Sequence, residues 1–171
     1  LRSHGITREL SEMTQVQDGP WYYQQLELGW NYRMTDIHAA LGRVQMKRLK
    51  DYVDRRNVLA EHYDTMLRDL PVKLPARTLG AKSAFHLYII RVVAKQHRAI
   101  FEGLTSRGIG VNCHYIPVHM HPYYRKLGFA PGDFPEAEKY YSEAISIPIF
   151  PKMTENMQYK VIEALFAEIV S

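Results

Sequence analysis

Cysteine is nearly missing from this sequence: Cys113 is the only one among 171 residues, which excludes an internal disulfide and a cysteine-paired zinc site. A lone thiol fits a reducing compartment. Long apolar runs are missing too. No stretch approaches the roughly 20 residues that span a bilayer, and the opening "LRSHGITREL" has neither the apolar core of a secretory signal nor an initiator Met. The sequence holds no Gly-rich phosphate loop, dinucleotide fingerprint, GxSxG element or HExxH zinc motif, and no carboxylate pair whose spacing reveals a glycosidase geometry. Charge of one sign is in short supply as well: 22 basic against 18 acidic residues leave a net charge of +4, which suits anionic ligands such as phosphates but falls short of a histone-like balance. The densest basic group, Lys47, Arg48, Lys50, Arg55 and Arg56, spreads around a helix rather than along one groove-reading face. It therefore reads as a solvated helix surface and not as a nucleic-acid patch.

What is present is enough apolar material, 46% of residues, to bury one ordinary core. Residues 1–34 show no sustained helical or strand period. A compact domain rarely spends so many residues on an unsupported opening, so this is either a functional loop system or a segment cut from the structure it packs against. From Thr35 onward Ile37, Leu41, Val44, Leu49, Val53, Leu59, Tyr63 and Met66 recur mostly at helical offsets and predict one long helix over 35–68. Thr35 is placed to cap it, Asp36 complements its dipole, and Pro71 marks its end. "AFHLYIIRVV" (84–93) reads as a strand, and 96–107 as a helix stopped by Gly108. "IGVNCHYI" (109–116) reads as a second strand, 135–143 as a short helix and "AISIP" (144–148) as a brief strand. Thr154 caps a last helix on which Met157, Val161, Leu165 and Ile169 repeat every fourth residue. The sum is a small α/β layer, a few partly antiparallel strands covered by helices. The long helix carries more apolar surface than that layer needs and is expected to meet another domain or subunit.

Asn31 and Arg33 stand just before the predicted start of the long helix, where unpaired N–H groups and the positive dipole end receive anions. An Asn amide donates to a phosphate oxygen, and a guanidinium grips a carboxylate or phosphate through two parallel hydrogen bonds. The local pattern alone fits better the plainer alternative, in which Asn31 caps the helix or turns the loop and Arg33 pairs with a surface acid. His114, His119 and His121 match no standard zinc spacing and read as pocket-lining or surface residues on a loop stiffened by Pro117 and Pro122. Cys113 and His114 are neighbours on a predicted strand and so point to opposite faces, which disfavours a Cys–His nucleophile. Lys82, in a polar loop, reads as a surface lysine.

Taken in order, "LRSHGITR", "LGWNYRMTDIHAALGRVQMKRLKDYVDRRNVLAEHYD", "SAFHLYIIRV", "RGIGVNCHYIPVHMHPYYRKLGF", "FPEAEKYYSEAISIPIFPKMT" and "VIEALFAEIV" resemble the C-terminal part of the sugar aminotransferases of the DegT/DnrJ/EryC1/StrS family, along almost all 171 residues. "WYYQQLELGWNYR" leans towards the branch of the pseudaminic acid pathway. The resemblance implies a pyridoxal-phosphate (PLP) enzyme of the aspartate-aminotransferase fold, PLP fold type I, with this chain as its α+β C-terminal subdomain. It implies a loop segment of the large domain over 1–34, a connecting helix over 35–70 and a small α/β domain over 71–171. It further implies a cytoplasmic homodimer with active sites between subunits, transferring an amino group from glutamate to a UDP-linked keto-sugar in bacterial surface-sugar biosynthesis, with 2-oxoglutarate as co-product. By the same resemblance Asn31 reaches the cofactor phosphate of the neighbouring subunit, Arg33 binds the donor carboxylate, and His114, Tyr115 and His119 approach the nucleotide-sugar. The Schiff-base lysine and the acid opposite the pyridine nitrogen lie upstream of the "RSHG" element in the family, so the chain is expected to hold no catalytic residue and to be inactive alone. A sugar dehydratase, in which histidine replaces that lysine, and a catalytically inert dimerisation or binding module are the competing readings.

Overall fold

The longest element follows from the stripe and caps described above. In the computed structural model, which describes residues 1–170, α1 spans Asp36–Met66. The Thr35 hydroxyl accepts the His38 N–H at 3.3 Å and caps it. The chain divides into two compact units, Leu1–Arg48 and Leu49–Ser171, with the boundary inside α1.

In the first unit β1 (Ile6–Thr7) and β2 (Gln24–Gln25) pair antiparallel, Ile6 opposite Gln25 and Thr7 opposite Gln24. The Gln24 side chain is buried, accepting the Thr14 N–H at 2.8 Å and donating to the Gln15 carbonyl at 3.1 Å. A residue that short-range patterning marks as polar loop thus serves as the internal tie of that loop.

The second unit is built on β3 (Tyr88–Arg91) and β4 (Ala144–Ile147), antiparallel, with Tyr88 opposite Ile147 and Ile90 opposite Ile145. Those four side chains are buried in one core with Leu59 and Tyr63 of α1, Leu104 of α2 (His97–Ser106) and Leu165 of α5 (Glu155–Val170). Two short helices, α3 (Pro122–Arg125) and α4 (Pro135–Glu143), complete the unit. Inside this core the Tyr63 hydroxyl donates to the Pro148 carbonyl at 2.9 Å, and the buried Gln158 amide donates to the Leu59 carbonyl at 2.7 Å. The Thr154 hydroxyl accepts the Met157 N–H at 3.2 Å and starts α5.

Three expectations are corrected. The strand over 109–116 reduces to one bridge, in which Asn112 and Ser146 exchange N–H to O bonds of 3.2 and 2.8 Å. There the Asn112 side chain takes the next backbone donor, the Cys113 N–H, at 2.8 Å, and Pro117 has no N–H to offer a ladder. The strand over 84–93 shrinks to Tyr88–Arg91 because Phe85 has φ +41, outside extended backbone, with its N–H held by the Ser83 hydroxyl at 3.1 Å. Of the basic group read as solvated, Arg55 and Arg56 are instead tied inward: Arg55 donates to the Met153 carbonyl at 2.8 Å, and Arg56 to those of Phe85 and His86 at 2.8 and 3.0 Å. A long stem lets a guanidinium on a helix surface reach loop carbonyls that no helical spacing announces.

Candidate functional site

Asn31 and Arg33 sit on an extended segment held by the chain's first residues. The His4 N–H donates to the Trp30 carbonyl, and the Trp30 and Tyr32 N–H groups donate to the Leu1 and Arg2 carbonyls, each at 2.8 Å. On this segment Trp30 and Tyr32 stack at 5.9 Å, so alternation turns Asn31 and Arg33 to the other face. Arg33 Nε donates to Asn31 Oδ1 at 3.2 Å. Thr35, not Asn31, caps the helix, and Arg33 is paired with an amide, not an acid. Because Asn31 Oδ1 faces the guanidinium, its Nδ2 donors and the remaining guanidinium N–H groups stay available beside the α1 N-terminus. That donor set matches a phosphate or a carboxylate.

His114, Tyr115 and His119 belong to the second unit. His114 lies in a cleft of about 250 Å³ lined by His86, Asn112, Ser146 and Phe150. Its Nδ1 is 2.7 Å from Ser146 Oγ, and its ring meets Tyr115 edge-on at 4.6 Å and 89°. The Tyr115 side chain is exposed. His119 is elsewhere, buried beside an apolar recess of about 350 Å³ formed with Tyr124, Phe129 and Phe134. Its Nε2 meets Glu138 Oε1 at 2.8 Å. The Gly132 N–H donating to Glu138 at 2.7 Å, and then His119, hold that carboxyl below the usual glutamate range.

Sequence reasoning grouped His114 with His119, but the structure gives each its own partner. It missed those partners, Ser146 and Glu138. The only advance signal for Ser146 was a lone hydroxyl in an otherwise apolar strand. Cys113 Sγ faces the Tyr141 carbonyl at 3.8 Å, and burial pushes its thiol pKa up, the opposite of an activated nucleophile. Lys82 pairs with Asp54 at the surface. Among the described residues no three His, Cys, Asp or Glu side chains converge to hold a metal, and no helix is long and apolar enough to cross a membrane.

Comparison with known proteins extends over the same residues. The profile of the DegT/DnrJ/EryC1/StrS aminotransferase family matches residues 1–166. An uncharacterised protein of Methanocaldococcus jannaschii is 39% identical over 171 residues, covering 96% of this chain and 44% of the relative. The UDP-4-amino-4,6-dideoxy-N-acetyl-beta-L-altrosamine transaminase of Campylobacter jejuni is 32% identical over 171 residues, covering 98% of this chain and 43% of the relative. Spr1654 of Streptococcus pneumoniae, described as a sugar aminotransferase, superposes in its PMP form with a TM-score of 0.87 at 29% identity over 99% of this chain and 43% of its own, and has also been solved in a PLP form. The chain thus spans less than half the length of these relatives. Its fold is part of that of the PLP fold type I aminotransferases. With sequence and backbone both matched nearly from end to end, the chain belongs to the DegT/DnrJ/EryC1/StrS aminotransferase family.

Proposed function

We infer that this chain is the C-terminal part of a PLP-dependent aminotransferase that moves an amino group from glutamate to a UDP-linked keto-sugar, as a cytoplasmic homodimer supplying bacterial surface-sugar biosynthesis. The observation that carries this reading is the Asn31–Arg33 donor pair, cross-linked at 3.2 Å beside the N-terminus of α1. The pair fits the anionic groups of the reaction. When bound, PLP supplies the electron sink for amino transfer. Asn31 donates its amide N–H to the cofactor phosphate of the neighbouring subunit, and Arg33 orients the donor carboxylate through its planar fork. His114, Tyr115 and His119 belong to the nucleotide-sugar side. The name of the Campylobacter relative supports a sugar amine at C4, and an amine introduced there by transamination requires a C4 ketone in the substrate.

The experiment uses the longer protein that contains this chain, supplied with [15N]glutamate and a UDP-linked 4-keto-6-deoxy-N-acetylhexosamine. Transfer of 15N to the sugar, with one equivalent of 2-oxoglutarate formed, is the expected result. A panel of keto-sugars giving no labelled product overturns the reading. Arg33→Lys replaces the fork by a point charge and should raise the KM for glutamate about tenfold while leaving the KM for the nucleotide-sugar in place. Unchanged glutamate kinetics remove the assignment of Arg33.

A further inference from the structure

Two glycines of the first unit sit where no side chain fits. A Cβ on Gly29 would lie 2.2 Å from the Gly5 nitrogen, 2.5 Å from the His4 carbonyl carbon and 2.6 Å from the Leu1 carbonyl oxygen. One on Gly5 would lie 2.0 Å from the Glu27 carbonyl oxygen. All of these neighbours are backbone atoms, so no side chain can swing aside to make room. The turn that allows the approach is itself unusual. His4 and Gly5 take φ of +62 and +68, and the Ile6 N–H donates across them to the Ser3 carbonyl at 3.2 Å. For His4, which has a Cβ, that left-handed backbone is strained and persists because the surroundings hold it. The Gly5 carbonyl then accepts the Leu26 N–H at 2.9 Å and the Glu27 N–H at 3.4 Å.

Residues 1–5 and 26–32 thus cross backbone on backbone, and Asn31 and Arg33 lie directly beyond the crossing. Ser3 bridges to Asn31, and the bonds of the Trp30 and Tyr32 N–H groups to the Leu1 and Arg2 carbonyls continue the lacing on either side of it. An irregular loop is ordinarily too mobile to aim a donor, whereas an anion site needs its donors held to a fraction of an ångström. Neither glycine has a side chain to offer a ligand. Whatever they do for binding travels through the backbone they set. We propose that Gly5 and Gly29 are positioning residues, whose crossing holds Asn31 and Arg33 ready for a phosphate and a carboxylate before either ligand arrives. The two ligands rest on the aminotransferase reading. The crossing does not, because it is defined by contacts within this chain.

The test has two arms, both on the longer protein. Amide hydrogen exchange on the cofactor-free protein reads the crossing without any substitution. The His4, Trp30 and Tyr32 amides should already exchange slowly, and pyridoxamine 5′-phosphate should slow them little further. Fast exchange until that compound is added overturns the pre-organisation. In the second arm Gly29→Ala forces the two backbones apart by about 1 Å, a displacement large enough to spoil an oriented contact. With folding checked by near-UV circular dichroism, it should raise the Kd of pyridoxamine 5′-phosphate about tenfold and leave that of pyridoxamine, which lacks the phosphate, in place. The KM for glutamate should rise about tenfold as well, with the nucleotide-sugar KM unmoved. A glycine that matters only for stability would lower the urea midpoint and leave these constants alone, and that result overturns the positioning role. If Gly29→Ala does not fold, the exchange arm decides. A wild-type protein that binds neither PLP nor pyridoxamine 5′-phosphate overturns the aminotransferase reading and the positioning role with it, while exchange in the same protein still judges the crossing.

Discussion

A single carboxylate shows how side chains tie α1 to the loop that precedes β3. Asp54 accepts from Lys50 at 2.7 Å, one helical turn away, and pairs with Lys82 from that loop. The hydrogen bond from Lys50, then the one from Lys82, lowers its pKa from 3.8 to about 2. A carboxylate depressed in the folded state contributes stability above its unfolded value, and that contribution disappears as pH falls through the folded value. The window therefore runs from about pH 4 down to about pH 2. Because the group is exposed, salt screens the effect. An NMR titration of the Asp54 carboxyl in low salt should give a midpoint near 2 that rises towards the ordinary value in Lys82→Ala or in concentrated salt. A midpoint already ordinary in the wild type sinks this account. Glu138 obeys the same sign with a different leading cause, the Gly132 N–H.

Among the elements, helices stop and start where local chemistry places the signal. After α2 the Gly108 N–H donates to the Thr105 carbonyl at 2.9 Å and the Ile109 N–H to the Leu104 carbonyl at 3.0 Å, with Gly108 at φ +76. That is the paired bonding of a left-handed helix stop. A Cβ at Gly108 would meet nothing within 4 Å, so Gly108→Ala tests backbone conformation without a clash. It should cost about 1–2 kcal/mol, read as a lower urea midpoint at unchanged slope. Removal of the cap by Thr154→Ala should cost about 1 kcal/mol by the same measurement, since the Met157 N–H loses its partner. An unchanged midpoint in either variant removes the corresponding element from the account. The strand over 109–116 behaves differently. Its β-branched residues satisfy a strand pattern, yet a ladder also needs a partner with free backbone groups, and that partner is remote in sequence.

For the whole molecule the decisive quantity is apolar surface left uncovered. Ile37, at 74% exposed, together with Leu41, Val44 and Leu49, lines the first part of α1, while Leu59 and Tyr63 farther along it are buried. A stripe that continues past its own core is an adhesive surface. The 171-residue chain alone should therefore bind the dye ANS and self-associate with rising concentration, and the longer protein should do so less. A monodisperse chain without ANS fluorescence contradicts this. The sequence by itself determined the helices α1, α2, α4 and α5, the caps at Thr35 and Thr154, the stop at Gly108 and the family, because each is written in neighbouring residues or in an ordered series of motifs. It also placed Asn31 and Arg33 just ahead of the α1 start, since that start is written in neighbouring residues. Only the tertiary structure decided that His114 meets Ser146, 32 residues away, that His119 meets Glu138, 19 residues away, and that Asn112 pairs alone where a strand was expected. Those outcomes depend on which distant donors and acceptors are brought within about 3 Å of one another, and no period or propensity along the chain encodes that choice.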